Sequence, residues 1–574
     1  MANLLQELFL AKQHGQKFLE VTIAQLNEDP VQKLERLIKE YWWDNLTRTI
    51  DAKGVARAAL DTKTVGTPES PRRIYIPHGA QEQHEYFTRF AAENPHLNLD
   101  VQWLPAGELT SSFIQSLDER PGLLALEMEH DSTNTKGLKG LPFIVPGGRF
   151  NELYYWDSAF CAWGMLGTHN HVVKAIIRHF AFEIQHYGKV CNANRSYYLG
   201  RGQPPLLTDL SLRTYRAARH EPDSKTVLRI GILAALKEYQ SYWMTSARYD
   251  EISGLNRYRP IGAGFPPECE ASQFDHILAP YAKKYRMTAR EVMEKYNGGE
   301  IKEPDLDAFC LHDRAVRESG HDTSNRVEGI CADLALIDLQ CLLYKYEKDI
   351  ALVIREEFND QLEVPSDFCR PGQDTKHIGT SKYWEAAADK RKQLINKYCW
   401  NEDQGLYFDY NTVTQQQMSY ETVTCLWALW CGVASPSQAE KLVKNGLPKF
   451  ECIGGLSSTT LLSRGVIDEA HPEKQWDYPN GWPPHQMLAW EGLKRYGYHK
   501  EAERLIYRWL HMIIRVFVDY NGTVVEKYNV TTLESPHKVG AEYGNQGLDF
   551  KYAPQEGSVF LFKNSKEEGL EKDG

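Results

Sequence analysis

The sequence predicts a large all-α protein, and three observations support this prediction. Apolar residues recur at helical spacing through most of the chain. The stretch 330–346 is apolar on nearly every side, which indicates a helix of a buried inner ring. Strand signals are few. With 574 residues, 42% of them hydrophobic and 25% charged, the composition is that of a globular protein.

Each predicted element follows from its local pattern. The helix predicted at 172–187 is followed by Gly188 as its C-cap. The helix predicted at 224–243 begins at Asp223 or Ser224 as its N-cap. The predicted helices are 172–187, 224–243, 330–346, 421–431, 484–493 and 500–518. Strands are predicted at 73–76 and 406–410. The dipeptide at 521–522 is Asn-Gly, a hairpin signal, so we expect Glu526 on an extended segment beside that turn.

The chain divides into three parts. Residues 1–40 form an amphipathic helical segment, and Leu34, Leu37 and Tyr41 lie at helical spacing around its end. We expect this segment to pack on the flank of the main domain, which covers residues 41–555. Residues 556–574 form a charged, atypical C-terminal tail.

Charge and cysteine content exclude several classes of protein. The net charge of −11 and the pI near 6.0 argue against nucleic acid or an anionic membrane as a partner. The eleven cysteines include no C-x-x-C pair, which favours reduced thiols, with Cys331 and Cys341 at core positions. The N-terminus lacks a basic region before its apolar run, and no run of about 18 apolar residues exists. We therefore expect a cytoplasmic protein.

Two segments carry carboxyl groups among many polar neighbours. RAVRESGHDTSNRVEG (314–329) contains Asp322, and NGTVVEKYN (521–529) contains Glu526. Cleavage of a glycosidic bond needs one carboxyl group that stays protonated and one that stays ionised. Because the chain has 77 acidic residues, such a pair alone would carry little weight.

Two aromatic-rich segments strengthen the interpretation. PGGRFNELYYWD (146–157) combines an Arg, a Glu and an Asp with aromatic residues, and QWDYPNGWPPHQ (475–486) combines two Trp, a Tyr and an Asp. Aromatic faces pack against the C–H faces of a sugar, while Arg and carboxylate groups bind its hydroxyls. These segments therefore indicate a sugar pocket.

These motifs together resemble the trehalases of glycoside hydrolase family 37. The segments NANRSYYLGRGQPP and FVDYNGTVVEKYN resemble the fungal neutral, cytosolic branch in particular. The similarity extends from about Trp42 to about Phe550. It implies an (α/α)6 toroid for the catalytic domain, residues 41–555, with a few short β-hairpins. Inner-helix ends and loops would form the central pocket.

The resemblance implies roles for individual residues. Asp322 lies where the family has its general acid, and Glu526 lies where it has its general base. We expect Arg317 to orient the site rather than to form a surface salt bridge. The positions that correspond to substrate contacts are Arg149, Trp156, Asp157, Asn192, Arg201, Gln203, Glu268, Arg317, Gly320 and Glu542.

The resemblance implies hydrolysis of α,α-trehalose to two glucose molecules with inversion, the two carboxyl groups being about 6.5–9.5 Å apart. It implies no cofactor. We expect no metal, because the Asp305 and Asp307 segment lacks the glycine that a calcium loop needs. The neutral branch often has a regulatory N-terminal extension with phosphorylation sites. We expect that extension to precede this chain and to recruit any regulatory protein partner.

The C-terminal tail departs from the family and leaves two alternatives open. Family members continue beyond the segment around Glu542 into a closing loop and another helix, whereas this chain reads YAPQEGSVFLFKNSKEEGLEKDG. We therefore expect the last helix to be missing, and an inactive or weakly sugar-binding product is one alternative. The other is a glycosidase on the same toroid with another disaccharide substrate, which a substrate panel would separate. A terpene-cyclase toroid is excluded because the chain lacks an Asp-Asp-x-x-Asp run.

Overall fold

The computed structural model describes residues 15–533, except 62–69, 108, 132–136, 149, 270, 370–375, 469–470 and 521, and also residues 4, 7, 8, 11 and 12. Arg149, Glu542 and the predicted tail therefore lie outside the described residues. Helices and strands are numbered in chain order. The α-helices are α1 Ile23–Leu26, α2 Pro30–Leu37, α3 Trp43–Leu46, α4 Val55–Ala58, α5 Gln81–Glu93, α6 Ser111–Ser116, α7 Tyr155–Met165, α8 Asn170–Tyr187, α9 Leu207–Ala217, α10 Ser224–Glu238, α11 Asp275–Tyr285, α12 Ala289–Asn297, α13 Pro304–Glu318, α14 Ile337–Glu357, α15 Ser381–Tyr398, α16 Trp427–Cys431, α17 Pro436–Lys441, α18 Leu447–Phe450, α19 Leu461–Arg464, α20 Pro483–Arg495 and α21 His499–Asp519.

The strands are short. They are β1 Thr47–Arg48, β2 Arg72–Ile76, β3 Leu99–Trp103, β4 Leu123–Leu124, β5 Met128–His130, β6 Leu138–Gly140, β7 Phe143–Ile144, β8 Leu334–Ala335, β9 Leu362–Val364, β10 His377–Gly379, β11 Trp400–Asn401, β12 Leu406–Tyr407, β13 Tyr410–Asn411, β14 Gln416–Gln417, β15 Glu451–Cys452, β16 Gly455–Leu456, β17 Asn480–Gly481 and β18 Tyr528–Asn529. Within the described ranges, tight 3₁₀ turns and three π-helical turns connect or extend the helices.

The inner wall of the molecule is a ring of helices. Helix α7 packs on α9, α9 on α14, α14 on α16 and α16 on α20. Their side chains are buried around most of the helix surface, as the long α14 shows best. Outer helices α8, α10, α15 and α21 each pack on the inner helix that precedes them. The all-α toroid predicted from the sequence is confirmed.

Most predicted helices are confirmed with small shifts of their ends. One exception is 421–431, where a 3₁₀ turn precedes an α-helix that begins only at Trp427. The other is 330–346, where the helix begins only at Ile337 and continues to Glu357. Residues before it form a 3₁₀ turn and strand β8, which pairs with β13. The Ile337 N–H donates to the Asp409 carboxylate at 2.9 Å, so a distant side chain fixes the helix start. The spacing of apolar residues does not show that a distant side chain sets the start of this helix.

The hairpin predicted at 521–522 is wrong for the described residues around it. Gly522 has φ +87°, and its N–H donates to the Phe517 carbonyl at 2.7 Å, so this glycine ends helix α21. Strand β18 pairs with β17, with Asn480 opposite Asn529. Glu526 therefore precedes a strand whose partner lies in the 475–486 segment. The strand predicted at 406–410 is split into β12 and β13.

A small parallel sheet lies outside the helical ring. Strand β2, which the sequence predicts, pairs in parallel with β3 and β4. Helices α5 and α6 provide the crossover connections that parallel pairing requires. A separate apolar cluster lies under helices α11 to α13 and includes Phe265, Leu278 and Val292.

The N-terminal segment and the cysteines have defined surroundings. Leu34 and Leu37 of α2 are buried, and α2 packs on α21. Ten of the eleven cysteines are buried, the exception being Cys452, and the reduced state stays a prediction. Within the described ranges, every helix is too short or too polar to cross a bilayer.

Candidate active site

The loop between α13 and α14 carries Asp322. Gly320 has φ +74°, and a Cβ atom at this position would lie 2.5 Å from the indole ring of Trp156. Only glycine fits both the backbone conformation and this close approach. The side-chain amide of Gln475 donates to the Asp322 carbonyl, and the Trp476 N–H donates to the Thr323 carbonyl at 3.0 Å. The loop is thereby attached to the 475–477 segment.

The residues after Asp322 are held by the buried carboxylate of Asp477. Its two oxygens accept hydrogen bonds from the Ser324 hydroxyl at 2.6 Å and the Asn325 N–H at 2.8 Å. Burial raises the pKa of Asp477 to about 6, and the hydrogen bonds from Ser324 and Asn325 oppose that rise. This contact fixes the backbone of the loop beyond Asp322.

A buried ion cluster fixes the loop at its far end. Arg326 donates to Asp409 at 2.7 Å through two nitrogens and to Asp338, in the first turn of α14, at 2.7 Å. All three side chains are almost completely buried. The two carboxylates outweigh the effect of burial and raise the pKa of Arg326. The cluster joins the Asp322 loop to the inner helix that follows it.

Glu526 is connected to the same segment through Lys527. The ammonium of Lys527 donates to Glu526 Oε1 at 2.8 Å and to Gln475 Oε1 at 2.9 Å. The Lys527 side chain is only 3% exposed and lies over the ring of Trp482, 5.1 Å from its centroid. Gln475 therefore donates from its amide nitrogen to the Asp322 carbonyl and accepts with its side-chain oxygen from Lys527. Lys527 in turn donates to Glu526.

Aromatic rings form one wall beside these carboxyl groups. Trp476 stacks on Trp482 with ring centroids 3.9 Å apart, and it lies 5.7 Å from Trp156. His321 packs edge-on against Trp476 at 4.9 Å, and its Nε2 lies 3.1 Å from Nε2 of His485. Burial lowers the pKa of both histidines, so both imidazoles are neutral. The wall is apolar and carries no net charge.

Helix α7 presents two further predicted residues at its N-terminus. The backbone N–H groups of Tyr155 and Trp156 both donate to Gln203 Oε1 at 3.0 Å. The Gln203 amide in turn donates to Asp157 Oδ2 at 3.5 Å. Gln203 thus caps the start of an inner helix and places Trp156 and Asp157 together.

Arg201 connects three of the predicted positions. Its guanidinium donates to Glu268 at 2.6 Å and to the Asn192 side-chain oxygen at 3.2 Å, and it stacks over Tyr198. Both members of the Arg201–Glu268 pair are buried. Arg317 is also buried and pairs with Asp313 at 2.8 and 3.1 Å, so its ion pair is not a surface salt bridge.

Three comparisons with known proteins identify the family. A family model described as trehalase matches residues 12–562. The chain belongs to the trehalase family. The cytosolic neutral trehalase of Neurospora crassa is 54% identical over 562 residues, covering 97% of this chain and 75% of the relative. That of Saccharomyces cerevisiae is 49% identical over 564 residues, covering 97% and 74%. The solved structure of neutral trehalase Nth1 from Saccharomyces cerevisiae matches with a TM-score of 0.84 and 46% identity, covering 93% of each chain.

In this trehalase-family fold, Trp156 and Asp157 lie at the N-terminus of α7, and Arg201 and Gln203 lie just before α9. Asp322 lies in the loop between α13 and α14, and Glu526 lies between α21 and β18. They form connected sets around Gln475, Gln203 and Arg201. Arg149 and Glu542 lie outside the described residues. Among the part of the chain that the structure describes, no group of three or more His, Cys, Asp or Glu is placed to hold a metal ion.

Sequence reasoning missed several residues of this trehalase-family site. Gln475 begins the 475–486 segment and Lys527 directly follows Glu526, so their place within the motifs is the sequence signal that could have identified them. Asp118 lies in a segment without a motif. Burial and the nearby Glu268 carboxylate raise the pKa of Asp118 to about 7, against the effect of neighbouring arginines. Only the fold brings this carboxyl group to the Arg201 side of the site.

Proposed function

We propose that this protein hydrolyses α,α-trehalose to two glucose molecules with inversion at one anomeric carbon. The observation that supports this most directly is the connection of the Asp322 loop and Glu526 through Gln475 and Lys527, beside an uncharged aromatic wall. Membership of the trehalase family supports trehalose as the substrate. It favours neither an inactive product nor a glycosidase for another disaccharide.

The two carboxyl groups take complementary roles in the proposal. Asp322 protonates the bridging oxygen, which leaves with one glucose in the α configuration. Glu526 removes a proton from a water molecule, whose oxygen attacks the other anomeric carbon from the opposite face and yields β-glucose. A carboxyl separation of about 6.5–9.5 Å, with room for that water, stays a prediction. Lys527 donates a hydrogen bond to Glu526 Oε1 at 2.8 Å and thereby fixes the position of this carboxyl group.

The aromatic and charged groups around the carboxyls suit a disaccharide. Trp156 and the Trp476–Trp482 stack offer apolar faces to the sugar rings. Arg201 offers a planar guanidinium to pairs of hydroxyls. The other proposed substrate contacts rest on the resemblance and on their place in the connected sets, and they are Arg149, Asp157, Asn192, Gln203, Glu268, Arg317, Gly320 and Glu542.

The names of the relatives support a cytoplasmic location for this protein, since they are described as cytosolic neutral trehalases. A regulatory protein partner, expected from the resemblance, stays a prediction.

The experiment is proton NMR of trehalose with the purified protein, recorded within the first minutes. We expect α- and β-glucose signals of equal size before mutarotation mixes them, because only one anomeric carbon is inverted. Early formation of α-glucose alone would contradict the inverting mechanism. No glucose from a folded protein would contradict the proposed function itself.

Variants of the two carboxyl groups assign the roles. Asp322→Asn and Glu526→Gln are each expected to lower kcat by about 10²–10⁴-fold, the usual contribution of a general acid or base. Glu294→Gln removes an exposed carboxylate that pairs with Arg290 and serves as the matched control. Equal activity of Glu526→Gln and the control would remove Glu526 from the mechanism.

A further inference from the structure

A cavity lies at the C-terminal ends of inner helices whose N-terminal sides carry active-site residues. It has a volume of about 340 Å³ and is bounded by the C-terminal parts of α9, α16 and α20 and by the middle of α14. On the active-site side, Arg201 and Gln203 lie just before the N-terminus of α9, and Asp322 lies in the loop before α14. The two sites therefore occupy opposite ends of the toroid.

The walls of this cavity are strongly basic. Five cationic side chains line it, against the single carboxylate of Asp349; they are Arg216, Lys345, Lys348, Arg355 and Arg495. The aliphatic side chains of Leu212 and Leu352, together with the ring of Tyr344, complete the wall. Positive charge beside a modest apolar surface is suited to a small organic anion.

The cationic side chains differ in how far carboxylates of the protein neutralise their charge. Lys345 and Asp349 are buried and pair at 2.5 Å, and Lys345 also contacts Asp209 at 3.3 Å. Their charges are therefore balanced within the protein. Arg216, Lys348 and Arg495 are exposed at the rim. Arg355 pairs with Glu385 at 2.5 Å but remains 49% exposed. The excess of positive charge lies at the entrance, where a ligand would meet it first.

We propose that this cavity binds a small phosphate monoester. Guanidinium groups bind phosphate oxygens with paired hydrogen bonds, and lysine adds a flexible point charge. A volume of about 340 Å³ is at the lower end of the range for small-molecule pockets, which suits a sugar phosphate rather than a polymer. The floor, made by the Lys345–Asp349 pair, offers both a donor and an acceptor to the organic part.

Helix dipoles do not account for this arrangement by themselves. Basic residues in a last helical turn interact favourably with the C-terminal end of the dipole, and Arg216 and Arg495 occupy such positions in α9 and α20. Lys348 lies in the middle of α14, where the dipole has no net end charge, and it is exposed, whereas Lys345 is held by Asp349 and Asp209. The position of Lys348 on the same cavity as Arg216 and Arg495 points to a ligand.

The test is isothermal titration calorimetry of the full chain with glucose 6-phosphate, inorganic phosphate and glucose. We expect saturable binding of glucose 6-phosphate that an excess of glucose does not displace, because neutral glucose would enter only the active site. Binding of inorganic phosphate in addition to glucose 6-phosphate would show recognition of the phosphate group and also supports the site. This readout does not depend on hydrolysis of trehalose, so it can fail or succeed independently of the proposed function.

The decisive variant is Lys348→Gln/Arg495→Gln, which removes two rim cations. We expect its affinity for glucose 6-phosphate to fall at least about tenfold, since a lost charged hydrogen bond corresponds to that factor or more. Lys283→Gln/Lys302→Gln removes two exposed lysines from the α11–α13 region and should change the affinity less than about twofold. Arg216→Gln, on another helix, provides a second test at the same rim.

Three results would overturn the proposal. The first is that the unmodified protein shows no saturable binding of glucose 6-phosphate up to about 10 mM, because a specific charged pocket would bind it more tightly than that. The second is an equal loss of affinity in the rim variant and the control variant. The third is displacement of glucose 6-phosphate by glucose, which would place the ester in the active site instead.

Discussion

At the scale of single residues, the site depends on side chains that contact other protein groups. Gln475 uses both ends of its amide, one toward the Asp322 backbone and one toward Lys527. Lys527 reaches Glu526 from the neighbouring position in the chain. Such residues hold reacting groups in place without touching the bond that breaks. Their substitution should therefore affect turnover more than substrate affinity.

Lys527→Gln tests this directly. We expect kcat to fall by about 10²-fold with a smaller change in KM, because Glu526 loses the partner that orients it. Steady-state kinetics on trehalose provides the measurement. Lys474→Gln is the control, since it removes a similarly buried lysine that pairs with Glu328. Equal kinetic effects in the two variants would contradict a specific role for Lys527.

Gly320 and Gly329 provide a matched pair for a second test. Both have positive φ, +74° and +70°, but only a Cβ at Gly320 would meet the Trp156 ring, whereas nothing lies within 4 Å at Gly329. Gly329→Ala should cost about 1–2 kcal/mol of backbone strain. Gly320→Ala should cost about 1–3 kcal/mol more through overpacking, and it should also reduce activity. Thermal unfolding and trehalose kinetics measure both effects, and equal stability losses would contradict the steric explanation.

At the scale of elements, the spacing of apolar residues predicts a helix well when the packing of its apolar face determines where the helix begins and ends. Helices α8, α10, α20 and α21 agree with their predicted ranges to within a few residues, apart from the π turn that continues α10. The start of α14 disagrees because Asp409, a residue distant in sequence, binds its first N–H group. The hairpin at 521–522 fails because the glycine there ends a helix. Short sequence signals do not distinguish these two uses of glycine.

The buried cluster before α14 is the element-scale prediction. Arg326→Gln would leave Asp338 and Asp409 buried without their cation, which should lower the free energy of unfolding by about 3–5 kcal/mol. Arg290→Gln breaks an exposed pair with Glu294 and should leave the free energy of unfolding nearly unchanged. Chemical denaturation compares the two variants. A similar small effect in both would mean that solvent reaches the Arg326 cluster.

At the scale of the whole molecule, sequence reasoning predicts the toroid but not everything attached to it. The parallel sheet of β2, β3 and β4 is missed because two of its strands are short or half-exposed and lack alternation. The catalytic candidates Asp322 and Glu526 follow from motifs. Their connection through Gln475 depends on strand β18 pairing with β17, which is a tertiary contact. Asp118 enters the site for the same reason.

A pH-dependent stability prediction belongs to this scale. Burial raises the pKa of Glu183 to about 8 from 4.5, while the Cys191 N–H bound to its carboxylate opposes that rise. The folded state therefore keeps a proton that the unfolded state releases between these pH values. The stability that Glu183 contributes is complete below about pH 4.5 and is lost as the pH rises to about 8.

Glu183→Gln removes this titration without changing the side-chain shape. The unmodified protein should lose up to about 1.4 kcal/mol of stability per pH unit relative to the variant between pH 5.5 and 8, and the difference should level off above that. Thermal midpoints across this range provide the measurement. Glu294→Gln, at an exposed position, should show no such slope difference. Parallel pH profiles of the unmodified protein and Glu183→Gln would contradict the prediction.

The distribution of the thiols has a practical consequence. Ten cysteines are buried at positions from Cys161 to Cys431, whereas Cys452 is partly accessible. An alkylating reagent can reach a buried sulfur only when the surrounding segment opens, so the rate of labelling at each position reports local unfolding. Mass spectrometry of peptides after timed exposure would thus map the order in which the chain comes apart. Labelling of the partly accessible Cys452 would provide the reference rate for a thiol that needs no unfolding.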